Sequence, residues 1–183
     1  MSKRLSVDEC EKLFRKYATP PHIRRHCFGV AKAAVILTRE MNKHGFSFDV
    51  ELVRGAALMH DLVRLKPDHA GEAAKILHEL GYDDEAAIVS VHMDYEMVKS
   101  MKDMTERDLV CFGDRVVKED KFVGLAERMD YVVEKARGHE EAIKRIRARQ
   151  KDTQILLQEI EELIGMSIEE LMRTKGDVNE FKL

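Results

Sequence analysis

Leu52-Val53-Arg54-Gly55-Ala56-Ala57-Leu58-Met59-His60-Asp61 is the stretch on which the reading of this chain turns. Asp49 stands where a helix cap belongs, and the run behind it is apolar nearly all round, the mark of a central, buried helix. That helix delivers His60 and Asp61 into the interior. An ionised carboxylate buried without a partner is very costly, so it shifts its pKa or finds a cation. A divalent metal is one such cation, and imidazole nitrogen with carboxylate oxygen suits Fe, Mn, Zn, Ni or Co. Adjacent helical residues diverge by about 100°, but from a helix end a long His and a short Asp can reach one ion. The alternative is a buried Asp acting as a cap with a chance histidine beside it. On the dipeptide alone the two readings stand level.

Outward from this stretch the chain reads as helices separated by caps and breakers. Ser6 with Glu9 three residues later is a capping box, opening a helix that carries Leu13, Phe14 and Tyr17. Thr19-Pro20-Pro21 stops it, because proline lacks an N–H donor and restricts its predecessor. From about His22 to His44, Val30, Ala33, Ala34, Leu37 and Met41 recur at helical spacing, and Gly45 terminates them. Asp68 caps a helix reaching Leu80, and Asp83 or Asp84 opens another that ends at His92. Thr105 with Asp108 is a capping-box variant ahead of Leu109, Val110, Phe112 and Val116. Two further helices are expected over 121–136 and 139–164. Ser167 with Glu170 caps a last short one, and residues from Lys175 onward read as loose. No strand pattern persists, and there is no internal repeat or low-complexity segment.

The expected fold class is therefore all-α. An N-terminal helix occupies 1–19, a core 20–136, and a C-terminal helical extension 137–183 packs on that core. Ile143, Ile146, Ile155, Leu156, Ile160 and Leu163 on the extension suit such packing. A seam between two copies of the chain, giving a homodimer, is the alternative.

The 183 residues suit one compact domain, long enough to bury a core without disulfides or structural metal. With 44% hydrophobic and 36% charged residues the composition is globular, not disordered. A net charge of -3 provides no global field toward nucleic acid or anionic lipid. The run Lys144-Arg145-Ile146-Arg147-Ala148-Arg149 reads as a solvated helix face. Cys10, Cys27 and Cys111 are odd in number and scattered, which argues against a disulfide framework and a zinc ribbon. Free thiols fit a reducing cytoplasm. The first residues lack the apolar core of a signal peptide, and no apolar run approaches the roughly 20 residues needed to span a bilayer.

Two more segments share the features of His60-Asp61. His26 lies one turn after His22 on the same helix face. Asp114 sits within Leu109-Val110-Cys111-Phe112-Gly113-Asp114-Arg115-Val116-Val117, an acid in an apolar stretch. Arg115 offers it a salt bridge, yet neighbouring side chains diverge on a helix. The order His…His-Asp…Asp, carried by His26-Cys27-Phe28-Gly29-Val30-Ala31, by Ala56 to Asp61 and by Gly113-Asp114-Arg115-Val116-Val117, resembles the signature of the HD-domain metal-dependent phosphohydrolase superfamily. The likeness runs from about Pro20 to Arg128.

That resemblance implies an HD-domain helical bundle in which His26, His60, Asp61 and Asp114 bind one metal. In two-metal branches two further histidines hold a second ion. The candidates are His69, which opens His69-Ala70-Gly71-Glu72, and His92, which follows Ile88-Val89-Ser90-Val91. Asp61 would then bridge. The implied cofactor is one or two divalent transition ions: Fe, Mn, Ni, Co or Zn. His22 is a weaker candidate; His44, His78 and His139 read as surface residues, and Cys27 as packing. The sequence also departs from relatives. Ile23 stands where many nucleotide-cleaving members carry an arginine, with Arg24 and Arg25 nearby. Leu62-Val63-Arg64-Leu65 replaces the Gly-Lys of cyclic-dinucleotide phosphodiesterases, so that substrate is not assigned.

The activity implied is hydrolysis of a nucleotide or other small phosphate ester by metal-activated water. Asp61 would hold the metals and orient the attacking oxygen. Arg64, Lys66, Arg115 and Lys118 are the cations placed to meet phosphate oxygens, Arg64 and Lys118 foremost. An HD-type di-iron oxygenase and a non-catalytic nucleotide or metal sensor share the same ligand spacing and stand as alternatives. No membrane or nucleic-acid partner is expected.

Overall fold

Ser6 caps as its spacing predicts: its Oγ accepts from the Glu9 N–H, and the Glu9 carboxylate accepts from the Ser6 N–H. Helix α1 (Val7–Lys16) follows. In this computed structural model the described residues are 3–175. Pro21 supplies the first turn of α2 (Pro21–Lys43), where its missing N–H costs nothing. Asp49 accepts from the Glu51 and Leu52 N–H groups to start α3 (Val50–Met59), and Asp68 accepts from the Gly71 N–H to start α4 (His69–Glu79). Then come α5 (Asp83–Val91), a short 3₁₀ turn at Met101–Asp103, and α6 (Glu106–Val116) behind the Thr105–Asp108 capping box.

Asp83 opens α5 as expected, standing as its first residue. The cap position is Tyr82, and Asp83 and Asp84 lie in the first turn with Glu85, where the helix dipole favours negative charge. A strand pair is also present: β1 (Val117–Lys118) and β2 (Lys121–Phe122) form a tight antiparallel hairpin. This corrects the helix expected over 121–136: strands of two residues are too short to show alternation, and the helix begins only after them. Helix α7 (Gly124–Lys135) begins after the hairpin, followed by α8 (Glu140–Ile164) and α9 (Ile168–Lys175). Lys175 closes α9; the rest of the tail expected to be loose lies outside the described residues.

Helix α3 is the buried centre, with Leu52, Val53 and every residue from Gly55 to Met59 covered. It packs on α2, α5 and α6. Two glycines set the spacing around α2. A Cβ at Gly113 would lie 2.8 Å from the Val30 carbonyl oxygen, so only glycine lets α6 come this close. A Cβ at Gly29 would lie 3.0 Å from the Asp120 carbonyl oxygen, so the hairpin rests directly on α2.

The C-terminal helices share the same core through Leu156, Leu157, Ile160, Ile164, Ile168, Leu171 and Met172. They also grip the loop that follows His92. Arg149 donates to the Met93 carbonyl and pairs with Asp94, while Arg115 links the Tyr95 carbonyl to the Thr153 hydroxyl. The buried Asp108 carboxylate accepts from the Tyr95 hydroxyl and from the Val98 and Thr105 N–H groups. Among the described residues no helix is long and apolar enough to cross a membrane.

Candidate metal centre

Past Met59 the chain leaves the α-helix through tight i→i+3 turns, Leu62 N–H to the Met59 carbonyl and Arg64 N–H to the Asp61 carbonyl, each 3.1 Å. This winding lets the adjacent His60 and Asp61 side chains serve one locus. Both are buried, as are His69 at the first residue of α4 and His92 at the end of α5. His26 comes from α2 and Asp114 from α6, neighbours because of Gly113.

Three histidines are oriented by the main chain. His60 Nδ1 donates to the Ala57 carbonyl at 2.7 Å, His92 Nδ1 to the Val89 carbonyl at 2.7 Å, and His26 Nδ1 to the Glu119 carbonyl at 2.8 Å. A carbonyl can only accept, so Nδ1 carries the proton, and in the neutral ring Nε2 presents a lone pair. His26 Nε2 lies 3.1 Å from Asp114 Oδ1, and His60 Nε2 lies 3.6 Å from Asp61 Oδ2. Asp61 Oδ1 faces His69 Nε2 at 3.2 Å and His92 Nε2 at 3.6 Å. The ligand atoms form two triplets, His26/His60/Asp114 and Asp61/His69/His92, each with its atoms within 4.8 Å of one another. The His60–Asp61 contact joins them.

His60 Nε2, Asp61 Oδ1 and His92 Nε2 are buried and have no hydrogen-bond partner. Each such group costs about 1–3 kcal/mol if nothing satisfies it. All three face the centre, and their nitrogen and oxygen chemistry is that of a borderline divalent cation. The donor set therefore fits a metal.

The charge states of His60 and the two carboxylates suit this. Burial pushes the His60 imidazole down to about 4, so it is neutral at pH 7. Burial opposes ionisation of Asp61, but His60, His69, His92 and Arg64 hold it well below the usual carboxylate range. Burial likewise opposes ionisation of Asp114, and His26, His60 and Arg128 outweigh it. His26 and His92 are raised: burial resists their charging, and the adjacent Asp114 and Asp61 carboxylates prevail. His60 and the two carboxylates are thus already in the states that ligate, whereas His26 and His92 would give up a proton to a metal.

The cations divide. Arg64 stands at the rim, its Nη1 2.7 Å from His69 Nε2 and its Nε 3.6 Å from Asp61 Oδ2. It offers the chain's own positive charge to these ligand atoms. Lys118 sits on the hairpin beside Glu119 and approaches Glu127 at 3.4 Å. Lys66 pairs with Glu72, and Arg115 reaches Thr153 and the Tyr95 carbonyl, so neither is aimed at the centre. Ile23 is core, Arg24 lies over the Phe14 ring, and Arg25 is 4.0 Å from Asp120. His22, His44 and His139 are exposed; His78, also exposed, bonds Asp83. Cys27 is buried packing.

A family model described as the HD domain matches residues 23–177. The chain belongs to the HD domain family. HD domains form a superfamily of metal-dependent hydrolases, and the match takes in the C-terminal helices through α9. An uncharacterized protein of Methanocaldococcus jannaschii is similar over 72 residues at 35% identity, covering 38% of this chain and 43% of that protein. The shared stretch thus spans less than half of that relative. No solved structure matches the chain.

Sequence reasoning missed two supports of this HD centre. Arg128 of α7 donates through Nε to the Asp114 carbonyl at 3.1 Å and through Nη2 to Asp114 Oδ1 at 3.2 Å. The Glu119 carbonyl, which fixes His26, belongs to a residue at φ 55°, the left-handed region that non-glycine residues seldom adopt. Arg128 gives no local signal beyond sharing a helix face with Tyr131 and Lys135. A main-chain carbonyl gives none at all.

Proposed function

We propose that this chain is a metal-dependent phosphohydrolase acting on a nucleotide or another small phosphate ester. The observation that carries the reading is the joined pair of donor triplets, with three buried ligand atoms that nothing in the chain satisfies. One or two divalent ions, drawn from Fe, Mn, Ni, Co and Zn, would supply Lewis-acid activation of water and charge compensation on phosphate oxygens.

The chain's own residues do the rest. His26, His60 and Asp114 would hold one ion, and Asp61, His69 and His92 the other. The three Nδ1–carbonyl bonds keep Nε2 aimed inward without help from solvent. Arg64 is half exposed at the rim and leans on His69 and Asp61. With those atoms committed elsewhere, its guanidinium is free to turn to phosphate oxygens, for which its planar fork is suited.

The test is a metal-supplemented hydrolysis screen over nucleotides, dinucleoside polyphosphates and sugar phosphates. Phosphate release should require metal, be insensitive to oxygen, and disappear with bound metal in His60→Ala and Asp61→Ala. Oxygen consumption in place of phosphate release would instead establish an oxygenase. Retained metal without turnover on any ester would establish a sensor.

A further inference from the structure

Three cations converge on one aromatic ring outside the metal donors. Lys135 Nζ lies 4.8 Å, Lys118 Nζ 5.1 Å and the Arg128 guanidinium carbon 5.7 Å from the Tyr131 ring centroid. Arg128, Tyr131 and Lys135 share one face of α7 at helical spacing, and Lys118 arrives from β1. A tyrosine face attracts a cation at these distances, but three like charges around one ring also repel one another. Their acids do not balance them. Arg128 is committed to Asp114, Lys118 approaches only the exposed Glu127 at 3.4 Å, and Lys135 has no ion pair among the described residues.

The cluster begins where the metal donors end. The Arg128 guanidinium bridges the Asp114 carboxylate and the Tyr131 ring, and Lys118 directly precedes Glu119, whose carbonyl holds His26. An anion seated on the ammonium groups would relieve their repulsion while its remainder reached the donors.

We propose that Lys118, Tyr131 and Lys135 form a subsite for a second phosphate of the substrate, beside the metal centre. The class this selects is an ester with two separated phosphates, a bisphosphate or a nucleoside polyphosphate, over a monophosphate. The inference rests on the phosphohydrolase reading for the role of the first phosphate. Lys118 and Lys135 bind the second, and Tyr131 holds both ammonium groups in place.

Calorimetric titration of the manganese-loaded protein tests it with two non-hydrolysable probes. One is pentylphosphonate; the other carries a phosphonate at both ends of the same chain. The bisphosphonate should bind the wild type at least about tenfold tighter, as one added charge-assisted contact implies. Lys135→Glu, an exposed change, should abolish that preference while manganese content and pentylphosphonate affinity stay as they were. Equal affinities in the wild type, no binding of the bisphosphonate, or a parallel loss for both probes in Lys135→Glu would overturn the subsite. Probe discrimination without release of phosphate from any ester would sustain the subsite and remove the hydrolase reading. Release without discrimination would do the reverse.

Discussion

His60 Nε2 is buried, lies 3.6 Å from Asp61 and receives no hydrogen bond from the chain. At this scale the candidate ligands could be picked out in the sequence because histidines and acids of the right order stood in apolar surroundings. Their supports were not, because they depend on tertiary contacts. Arg128 meets Asp114 from the next helix, 14 residues away. It gives Asp114 a compensating charge and a directed hydrogen bond on Oδ1. Arg128→Ala should therefore weaken metal binding by about 10–100-fold, the range for losing a group that orients a ligand. Arg128→Lys, which keeps the charge and loses the two-point grip, should fall between. Competition with a chelating dye measures this directly, and an unchanged affinity in Arg128→Ala would show that Asp114 needs no such hold.

Among the elements, the packing of α6 on α2 decides whether Asp114 reaches His26. Gly113 makes the approach possible, and Gly113→Ala would set a methyl 2.8 Å from the Val30 carbonyl oxygen and 3.2 Å from the Ala34 Cβ. Relief requires the helices to part. The expected cost is about 1–3 kcal/mol in urea denaturation, the usual range for overpacking, with a loss of metal affinity in parallel. Full stability with full affinity would mean that α6 can shift freely. Helix positions were readable because capping pairs such as Ser6–Glu9 and Thr105–Asp108 act locally. The hairpin after α6 was not readable. Its conformation depends on Glu119 in the left-handed region and on the seat provided by Gly29, and neither leaves a pattern in the sequence.

At the scale of the whole molecule, the C-terminal helices are bound to the rest by apolar burial and by polar ties. Leu156, Leu157, Ile160, Ile164 and Leu171 are buried in the common core, and each is worth about 1.5–3 kcal/mol. Against a total stability of about 5–15 kcal/mol, the remainder is not expected to stand without them. A chain ending at Arg137 should show no cooperative thermal transition by circular dichroism; a sharp melt near that of the full chain would make the extension dispensable. The apolar pattern on 139–164 announced a packing face. The polar ties did not announce themselves, since Arg149 reaches back 56 residues to the Met93 carbonyl. That tie braces the segment just beyond His92 and links the C-terminal helices to the candidate metal centre.

The carbonyls of Ala57, Val89 and Glu119 bear on how this protein can change over generations. A side-chain prop vanishes with one codon; a main-chain carbonyl survives every codon that keeps its helix or turn. Three of the four histidines are thus insulated from mutation at the residues that orient them. Asp114, which leans on the Arg128 side chain, and His69, which meets the Arg64 side chain, are the candidate ligands more exposed to drift. In a lineage losing its chemistry, the earliest scars would be found at Arg128 or Arg64, before any histidine had been replaced.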